Sequence, residues 1–372
     1  MKTQKTLLTT LLLCGVPAVA LANPVSPLVL GYGGHMLIGN LIIGVFEGLL
    51  LAWLCGLQKL RAIAMMVLAN FFSAIAGIWF LEWISPGIAI ELHNAWFWVL
   101  TAVAATFLMA LVLEFPFFCF ALRRTPNRFR RSIYATLKIQ TISYVLLFGG
   151  YCATGHLTIL TDLTLVEPSS LPLPAPVAVY YIATADGDVH RLTPAHGEPS
   201  FVYDMNASHG ADCLWTRPSA ADSNRWDLMA STWIEGAYSL SNVNVVVAES
   251  FATTTVSNHW QVLYGVTEAP PNWLRNDGAV DRLGDARDSP WSFLMENWAR
   301  RGMRASRTDT GTEFRVAFEM PLGDWRIRDA THLPGDYVLF QLGRDQICIF
   351  DPMQKRIALV ARGRGPVAVL ED

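Results

Sequence analysis

The chain has 372 residues, of which 52% are hydrophobic and only 16% are charged. This balance excludes a single soluble globule of ordinary composition, in which about a quarter of the residues are charged. The formal net charge is −3, and residues 168–372 are the acidic part, with 25 Asp and Glu against 18 Lys and Arg. No folded face with clustered basic residues is indicated, so we expect no nucleic-acid partner.

The first 22 residues have the composition of an export signal. Lys2 and Lys5 form a basic start, LLTTLLLCGV forms an apolar core, and Ala20-Leu21-Ala22 is typical of a cleavage site. A signal peptide over residues 1–22 is therefore predicted, with Asn23 as the first mature residue. An uncleaved membrane anchor is the alternative.

Four apolar segments follow, each long enough to cross a bilayer, which takes about 20 residues in a helix. Aromatic residues such as Trp53, Trp79 and Trp96 lie toward their ends, where an interfacial belt is expected. We therefore predict an α-helical membrane bundle of four transmembrane helices within residues 23–157. The predicted spans are residues 34–57, 62–84, 95–121 and 132–155.

The loops between these segments differ in charge, and short loops rich in Lys and Arg stay in the cytoplasm. The first and third loops are basic, whereas the second, SPGIAIELHN, contains Glu91 and no Lys or Arg. The chain after residue 156 is thus predicted to be extracytoplasmic, in a multi-pass protein of the inner (plasma) membrane. The basic loop residues are Lys59, Arg61, Arg123, Arg124, Arg128, Arg130 and Arg131.

Polar residues inside the apolar segments are predicted to form one cluster. Counting about 1.5 Å per residue from the cytoplasmic end puts four of them at similar depth, one on each helix. Ionisable groups that face lipid are costly, so they turn inward and find partners. We expect Glu47 to meet Asn70, Lys138 or both, and Glu114 to be a second partner of Lys138. The predicted cluster consists of Glu47, Asn70, Ser73, Glu114 and Lys138.

Two interpretations of this cluster stay open. In the first it is a structural lock, in which polar contacts fix the register of the helices. In the second it is a proton or ion relay, because carboxylates and a lysine in a low dielectric can have strongly shifted pKa values.

Three histidines are predicted to lie at the opposite membrane face. His35 begins the first span, His93 precedes the third, and His156 ends the fourth. Imidazole is the commonest metal ligand, so these three could hold zinc, copper or haem. Interfacial histidines without a metal are the alternative, and no cofactor is assigned to the chain.

A proline-rich stretch, EPSSLPLPAP, marks a domain boundary, because such a sequence is extended and stiff. We place a linker at residues 158–177 and an extracytoplasmic all-β domain at residues 178–372. The domain begins with a hairpin over residues 177–193, since Asp186-Gly187 between alternating apolar residues is a strong turn signal.

Further strands are predicted by alternating or short apolar runs. The closing run resembles the blades of a β-propeller, with one strand ending in Phe350-Asp351-Pro352 and the next starting at Arg356. A propeller-like fold is therefore expected, with a sandwich as the alternative. The predicted strands are residues 226–233, 243–250, 259–266 and 313–320, followed by DYVLFQL, QICIFD, RIALVA and PVAVL.

One segment of this domain favours a helix. In PWSFLMENWARRGMRAS the large residues Trp291, Leu294 and Trp298 recur at helical spacing. We predict a short packed helix there. A lid or a docking patch is the functional alternative, because several arginines follow.

Two cysteines, Cys213 and Cys348, fall outside the signal and the apolar segments. An oxidising compartment permits a disulfide between them, which would close a long loop. Two buried thiols are the equal alternative.

No motif for hydrolysis, phosphate binding or metalloprotease chemistry is present, so an enzyme is not favoured. The sequence instead favours a membrane protein that presents its β domain to a protein partner, a cell-envelope component or a second copy of itself. A transporter or energy-coupled component with an ion relay is the first alternative. A metal or redox site at the outer membrane face is the second. Membrane lipid is an expected partner in each case.

Overall fold

The chain divides into two compact units. The described part of the first unit consists of helices between Leu30 and Ala153, and the second, which also takes in Glu91–His93, is mostly strands from Thr164 onward. In the computed structural model the described residues are 30–84, 90–153, 157–172, 177–194, 198–209, 212–222, 224–233, 242–253, 278–296, 302–319 and 325–370. The predicted signal peptide and the predicted strand at 259–266 lie outside these residues.

Four long helices form the first unit. Each helix packs on the next along the chain, and the fourth also packs on the first. Neighbouring helices are joined by short connections, as in an antiparallel bundle. The helices are α1 (Leu30–Cys55), α2 (Lys59–Ile84), α3 (Ala95–Ala121) and α4 (Arg128–Ala153).

Three of the predicted spans are confirmed as helices long and apolar enough to cross a membrane. In the part of the chain that the structure describes, they cover Ile38–Cys55, Lys59–Gly77 and Leu92–Ala121. The helix α4 is as long as α1 but is not one of them. Lys138 and Gln140 lower its apolar character, and its role as a fourth span stays a prediction.

The helical unit has the opposite distribution of side chains from a soluble protein. Large apolar residues are exposed on its outer surface, among them Trp79 at 72% and Val145 at 66%. The side chains buried between the helices include polar ones: Glu47, Asn70, Glu114, Ser132, Thr136, Gln140 and Ser143. In water this arrangement would be unfavourable, whereas in hydrocarbon it is the expected one.

Small residues let α1 and α2 approach each other closely. A Cβ atom added to Gly44 would lie 2.6 Å from the Cα of Val67, and one added to Gly48 would lie 2.4 Å from the Cα of Ile63. These distances are too short for any side chain. The Gly44-x-x-x-Gly48 spacing therefore sets the separation of the two helices, as small-residue motifs do in membranes.

The second unit contains a one-turn helix, α5 (Thr158–Thr161), and sixteen described strands in three sheets. The sheets have nine, four and three strands. The strands are β1 (Thr164–Leu165), β2 (Val177–Ala183), β3 (Val189–Leu192), β4 (Ser200–Tyr203), β5 (Cys213–Pro218), β6 (Trp226–Trp233), β7 (Asn242–Ala252), β8 (Gly278–Ala279), β9 (Asp281–Arg282), β10 (Trp291–Glu296), β11 (Gly302–Arg307), β12 (Thr312–Val316), β13 (Ile327–His332), β14 (Val338–Leu342), β15 (Gln346–Asp351) and β16 (Arg356–Leu370).

The largest sheet has the order β4-β3-β2-β16-β15-β14-β13-β9, and β1 pairs with β16 in parallel. The predicted first hairpin is confirmed, because β2 and β3 are antiparallel with Ile182 opposite Val189. The second sheet is β12-β11-β10-β8, and the third is β5-β6-β7.

The last two predicted strands, RIALVA and PVAVL, are one continuous strand. Between them Gly363-Arg364-Gly365, a sequence typical of a turn, forms a bulge, with a register shift between Arg364 and Val367 and a φ of 60° at Gly365. A glycine adopts this backbone conformation without strain, so β16 can bend and pass from its pairing with β15 to its pairing with β2.

The predicted helix around Trp291 is wrong. Residues Trp291–Glu296 form β10, which pairs with β11 along its whole length. Trp291, Phe293 and Met295 are buried and the residues between them are more exposed, so the true period is two. The spacing of Trp291 and Leu294 matched a helix by coincidence.

Because contact with Ile63 leaves no room at Gly48, we predict that Gly48→Ala lowers the free energy of unfolding by about 1–3 kcal/mol. Gly39→Ala on the same helix is the matched control, since nothing lies within 4 Å of its added Cβ. Alanine is the better helix former, so that control should be neutral or slightly stabilising. Unfolding by detergent titration, followed by circular dichroism, measures both. Equal stabilities for the two variants would contradict the described α1–α2 contact.

Candidate functional site

The central polar contact of the helical unit joins α1 to α2. The amide Nδ2 of Asn70 donates to Oε2 of Glu47 at 2.7 Å and to the backbone oxygen of Met66 at 3.0 Å. The Glu47 side chain is 1% exposed. Gly44 and Gly48 of the same helix have no side chain and therefore let α2 approach closely.

A second carboxylate, Glu114 of α3, lies in the same cluster and is 2% exposed. The Ser73 hydroxyl donates to its Oε1 at 2.7 Å, and the Gln140 amide donates to its Oε2 at 2.5 Å. Ser73 follows Asn70 by one helical turn, so α2 supplies a donor to each of the two carboxylates. Glu47, Asn70, Ser73 and Glu114 are thus brought together as predicted members of one cluster.

Lys138 is not part of the cluster, contrary to the expectation that it meets Glu47 or Glu114. The side chain is exposed on the outside of α4, and the donor to Glu114 is Gln140. Lys138 and Gln140 are two positions apart, which corresponds to a rotation of about 200° around the helix axis, so their side chains point to opposite faces of α4. Depth along the axis was therefore an insufficient criterion, because it leaves the rotation of the helix unspecified.

The inward face of α4 is a stripe of small and polar residues that the sequence analysis missed. Thr136, Gln140 and Ser143 are all buried, and they recur at a spacing of four and three residues. The Ser143 hydroxyl faces Glu47. A period of 3.6 in Thr136, Ile139, Gln140 and Ser143 is the signal that could have identified the face.

Within the described part of the chain, the two carboxylates accept hydrogen bonds from neutral groups. Among the ion pairs of the described residues, none includes Glu47 or Glu114. A buried carboxylate pair without a cation is chemically suited to bind a proton or a small cation, because either would neutralise charge in a low dielectric. The same hydrogen bonds can also act only to fix the four helices.

Of the three histidines predicted as metal ligands, the structure describes the side chain of His93. His93 is exposed, and its Nδ1 lies 3.1 Å from Oε2 of Glu91. His35 lies on α1, but its side chain is outside the described part of the structure, as is the whole of His156. Within the described residues no group of three or more His, Cys, Asp or Glu is arranged to hold a metal.

Both cysteines of the predicted disulfide are buried thiols within the described residues. Cys213 belongs to β5 of the three-stranded sheet, and Cys348 belongs to β15 of the nine-stranded sheet. Burial raises the pKa of the Cys348 thiol well above its usual range. In the described structure, Cys213 and Cys348 are not joined in a disulfide, which agrees with the second of the two alternatives.

A buried histidine in the β unit was not singled out from the sequence. His332 ends β13, is 0% exposed, and packs against Phe293 with the ring centres 4.8 Å apart. Its Nε2 lies 3.6 Å from Oδ1 of Asp336, which also accepts a hydrogen bond from Ser289. Burial lowers the pKa of His332 to about 4; Asp336 opposes this shift and the Arg282 guanidinium adds to it.

Comparison of the chain with protein families, with curated proteins and with solved structures gives no match. Function has to be inferred from the two units and from the contacts of their buried polar groups. In the helical unit these contacts are the hydrogen bonds of Glu47 and Glu114, and in the β unit they are the surroundings of His332.

The depressed pKa of His332 predicts a loss of stability in acid. The unfolded chain binds a proton at the ordinary pKa of 6.5, whereas the folded chain does so only near 4. The free energy of unfolding should therefore fall as the pH drops from about 6.5 to 4, by about 3 kcal/mol from this group.

Unfolding of the intact protein between pH 7.5 and 4, followed by tryptophan fluorescence, measures this dependence. His332→Gln should remove that part of the slope, whatever its stability at neutral pH. His93→Gln is the control, since this histidine is exposed and its variant should keep the slope. An unchanged slope in His332→Gln would contradict the assignment.

Proposed function

We propose that the chain is a multi-pass protein of an inner (plasma) membrane in which four helices anchor an extracytoplasmic β domain, and that this domain binds a protein partner or a cell-envelope component. The observation that carries the membrane part of the proposal is the inverted distribution of side chains. Trp79 and Val145 face outward and Glu47, Glu114 and Gln140 face inward. On α4, Val145 faces outward and Gln140 faces inward, and this supports α4 as a fourth span.

The charges at one end of the helical unit support the orientation. The guanidinium of Arg61, after α1, donates to the backbone oxygen of Phe120, near the end of α3, at 3.2 Å. The two basic loops therefore belong to the same end. Short basic loops stay in the cytoplasm, so the chain after α4 is proposed to be extracytoplasmic. We also propose that residues 1–22 are a signal peptide that is cleaved.

The packing within the β unit supports a sandwich more than a propeller. One face of β2 places Val179 and Tyr181 in a core with Leu339 of the same large sheet. The other face places Ile182 against Leu228 of the three-stranded sheet. A strand with both faces covered by packed layers is expected where a curled sheet is stacked on a second sheet.

We propose that the partner binds at β4, the strand at one edge of the large sheet among the described strands. The strand β4 ends the order of the nine-stranded sheet, and Phe201 on it is 60% exposed. A terminal strand with an exposed aromatic ring can pair with, or pack on, another chain.

Crosslinking in native membranes followed by purification tests the binding proposal. We expect the intact protein to retain a crosslinked partner that Phe201→Ser loses at least in part. Met353→Ser is the matched control, because Met353 is 57% exposed in the turn after β15, away from β4, and this variant should keep the partner. A partner that is retained by a version ending at His156 would contradict binding by the β domain.

A proton or cation relay through the helical unit is the second candidate function. Its support is the cluster itself, in which two buried carboxylates are hydrogen-bonded, among the described residues, to neutral groups of α2 and α4. Such a pair can take up and release a proton or a cation within the membrane. A relay also needs a path to both membrane faces, which a second copy of the chain could complete.

Flux measurements in proteoliposomes separate a relay from a structural lock. For a relay, Glu47→Gln should abolish proton or cation flux while the protein still inserts, and Glu91→Gln, outside the cluster, should not. For a structural lock, the wild-type protein gives no flux above empty vesicles, and Glu47→Gln changes only the unfolding midpoint.

A further inference from the structure

We propose that the outer face of α4 binds the phosphate group of an anionic phospholipid through Arg131, Tyr134 and Lys138. The inference rests on the proposed insertion of α4 into the membrane. These residues follow one another at intervals of three and four, so they form a single stripe along the helix. All three are exposed, with Tyr134 at 56%.

Lys138 is the residue that requires an explanation. It lies about 10 Å along the helix from Arg131, in a stretch where Leu137, Ile142 and Val145 are exposed. An ammonium group at this position faces hydrocarbon unless it reaches a polar partner. Among the ion pairs of the described residues, none includes Lys138.

The direction of the side chain brings its charge toward the other two residues. In an α-helix each Cα–Cβ bond tilts toward the N-terminus, and α4 begins at the basic end of the helical unit. A Lys138 side chain that follows this tilt brings its ammonium group toward Tyr134 and Arg131. Long basic side chains near helix ends reach the membrane surface in this way.

The stripe has donors and charges that match a phosphodiester. Lys138 and Arg131 offer two cations, and the Tyr134 hydroxyl offers a third donor. Arg130 lies over the Tyr134 ring at 5.7 Å, which adds positive charge beside the stripe. A phosphodiester anion between these groups would have its charge balanced and its oxygens hydrogen-bonded.

The apolar surroundings select the class of ligand. A soluble anion could reach Arg131 but would leave the adjoining apolar face of Leu137 and Val145 unused. An anionic phospholipid carries its phosphate next to its acyl chains, and so it matches both parts of the surface. The occupant that we infer is therefore a lipid such as phosphatidylglycerol rather than a free phosphate ion.

The test uses the intact protein in detergent with a small excess of phosphatidylglycerol or phosphatidylcholine, and counts the lipids retained by native mass spectrometry. The wild type should retain phosphatidylglycerol preferentially. Lys138→Gln should weaken that retention about fivefold, the effect of one basic residue near a lipid surface. Lys138→Arg should restore it, because the charge remains within reach.

Lys59→Gln is the matched control, since it removes the same charge from an exposed position at the same end of the unit. It should leave retention unchanged. Equal losses in the two glutamine variants would overturn the site and leave only a diffuse basic surface. No preference for phosphatidylglycerol over phosphatidylcholine would also overturn it.

Two further measurements, carbonate extraction and light scattering, distinguish a failure of the lipid site from a failure of the proposed function. If alkaline carbonate extracts the protein from membranes, membrane insertion fails and the lipid site fails with it. If the protein resists extraction but shows no lipid preference, only the lipid site fails. If Lys138→Gln instead converts a dimer to a monomer in light scattering, a second copy covers the stripe and the lipid assignment is overturned.

Discussion

The helical unit depends on one constraint: a carboxylate removed from water must accept hydrogen bonds. Glu47 and Glu114 meet it through side chains of the neighbouring helices, Asn70 and Ser73 on α2 and Gln140 on α4. These contacts fix how each helix is rotated and how deep it lies against the others. The glycines of α1 also contribute, because they allow the close approach of α2 that brings Asn70 within 2.7 Å of Glu47.

Much of this unit could be predicted, and the part that could not has a physical reason. Apolar length located the helices, and residue counts gave Glu47, Asn70 and Glu114 similar depths. Counting residues gives height along a helix, whereas the choice of partner depends on the rotation of the helix, so counting alone does not place Lys138 on the outer face. The polar stripe of α4 that includes Gln140 shows which face of the helix points inward. In the sequence, however, this stripe is less obvious than a single lysine among apolar residues. An uncharged amide proved to be the partner.

In the β unit, local pattern predicted strands well and their connections poorly. The strand at residues 226–233 and the hairpin at Asp186-Gly187 follow from alternation and turn chemistry. Pairing between distant strands leaves no local signal, so the order of the nine-stranded sheet could not be predicted. Glycines such as those around Arg364 predict a turn as readily as a bulge, because turns and bulges use the same residue type. His332 was missed because its burial depends on the same distant pairings.

The most direct test of this account is a pair of double-mutant cycles on the intact protein, with the free energy of unfolding measured in detergent. One cycle combines Glu114→Ala with Gln140→Ala, and the other combines Glu114→Ala with Lys138→Ala. The described hydrogen bond predicts a coupling of about 1 kcal/mol in the first cycle and one within about 0.3 kcal/mol of zero in the second. Coupling of Glu114 to Lys138 and not to Gln140 would contradict the account, because it would return the lysine to the bundle interior.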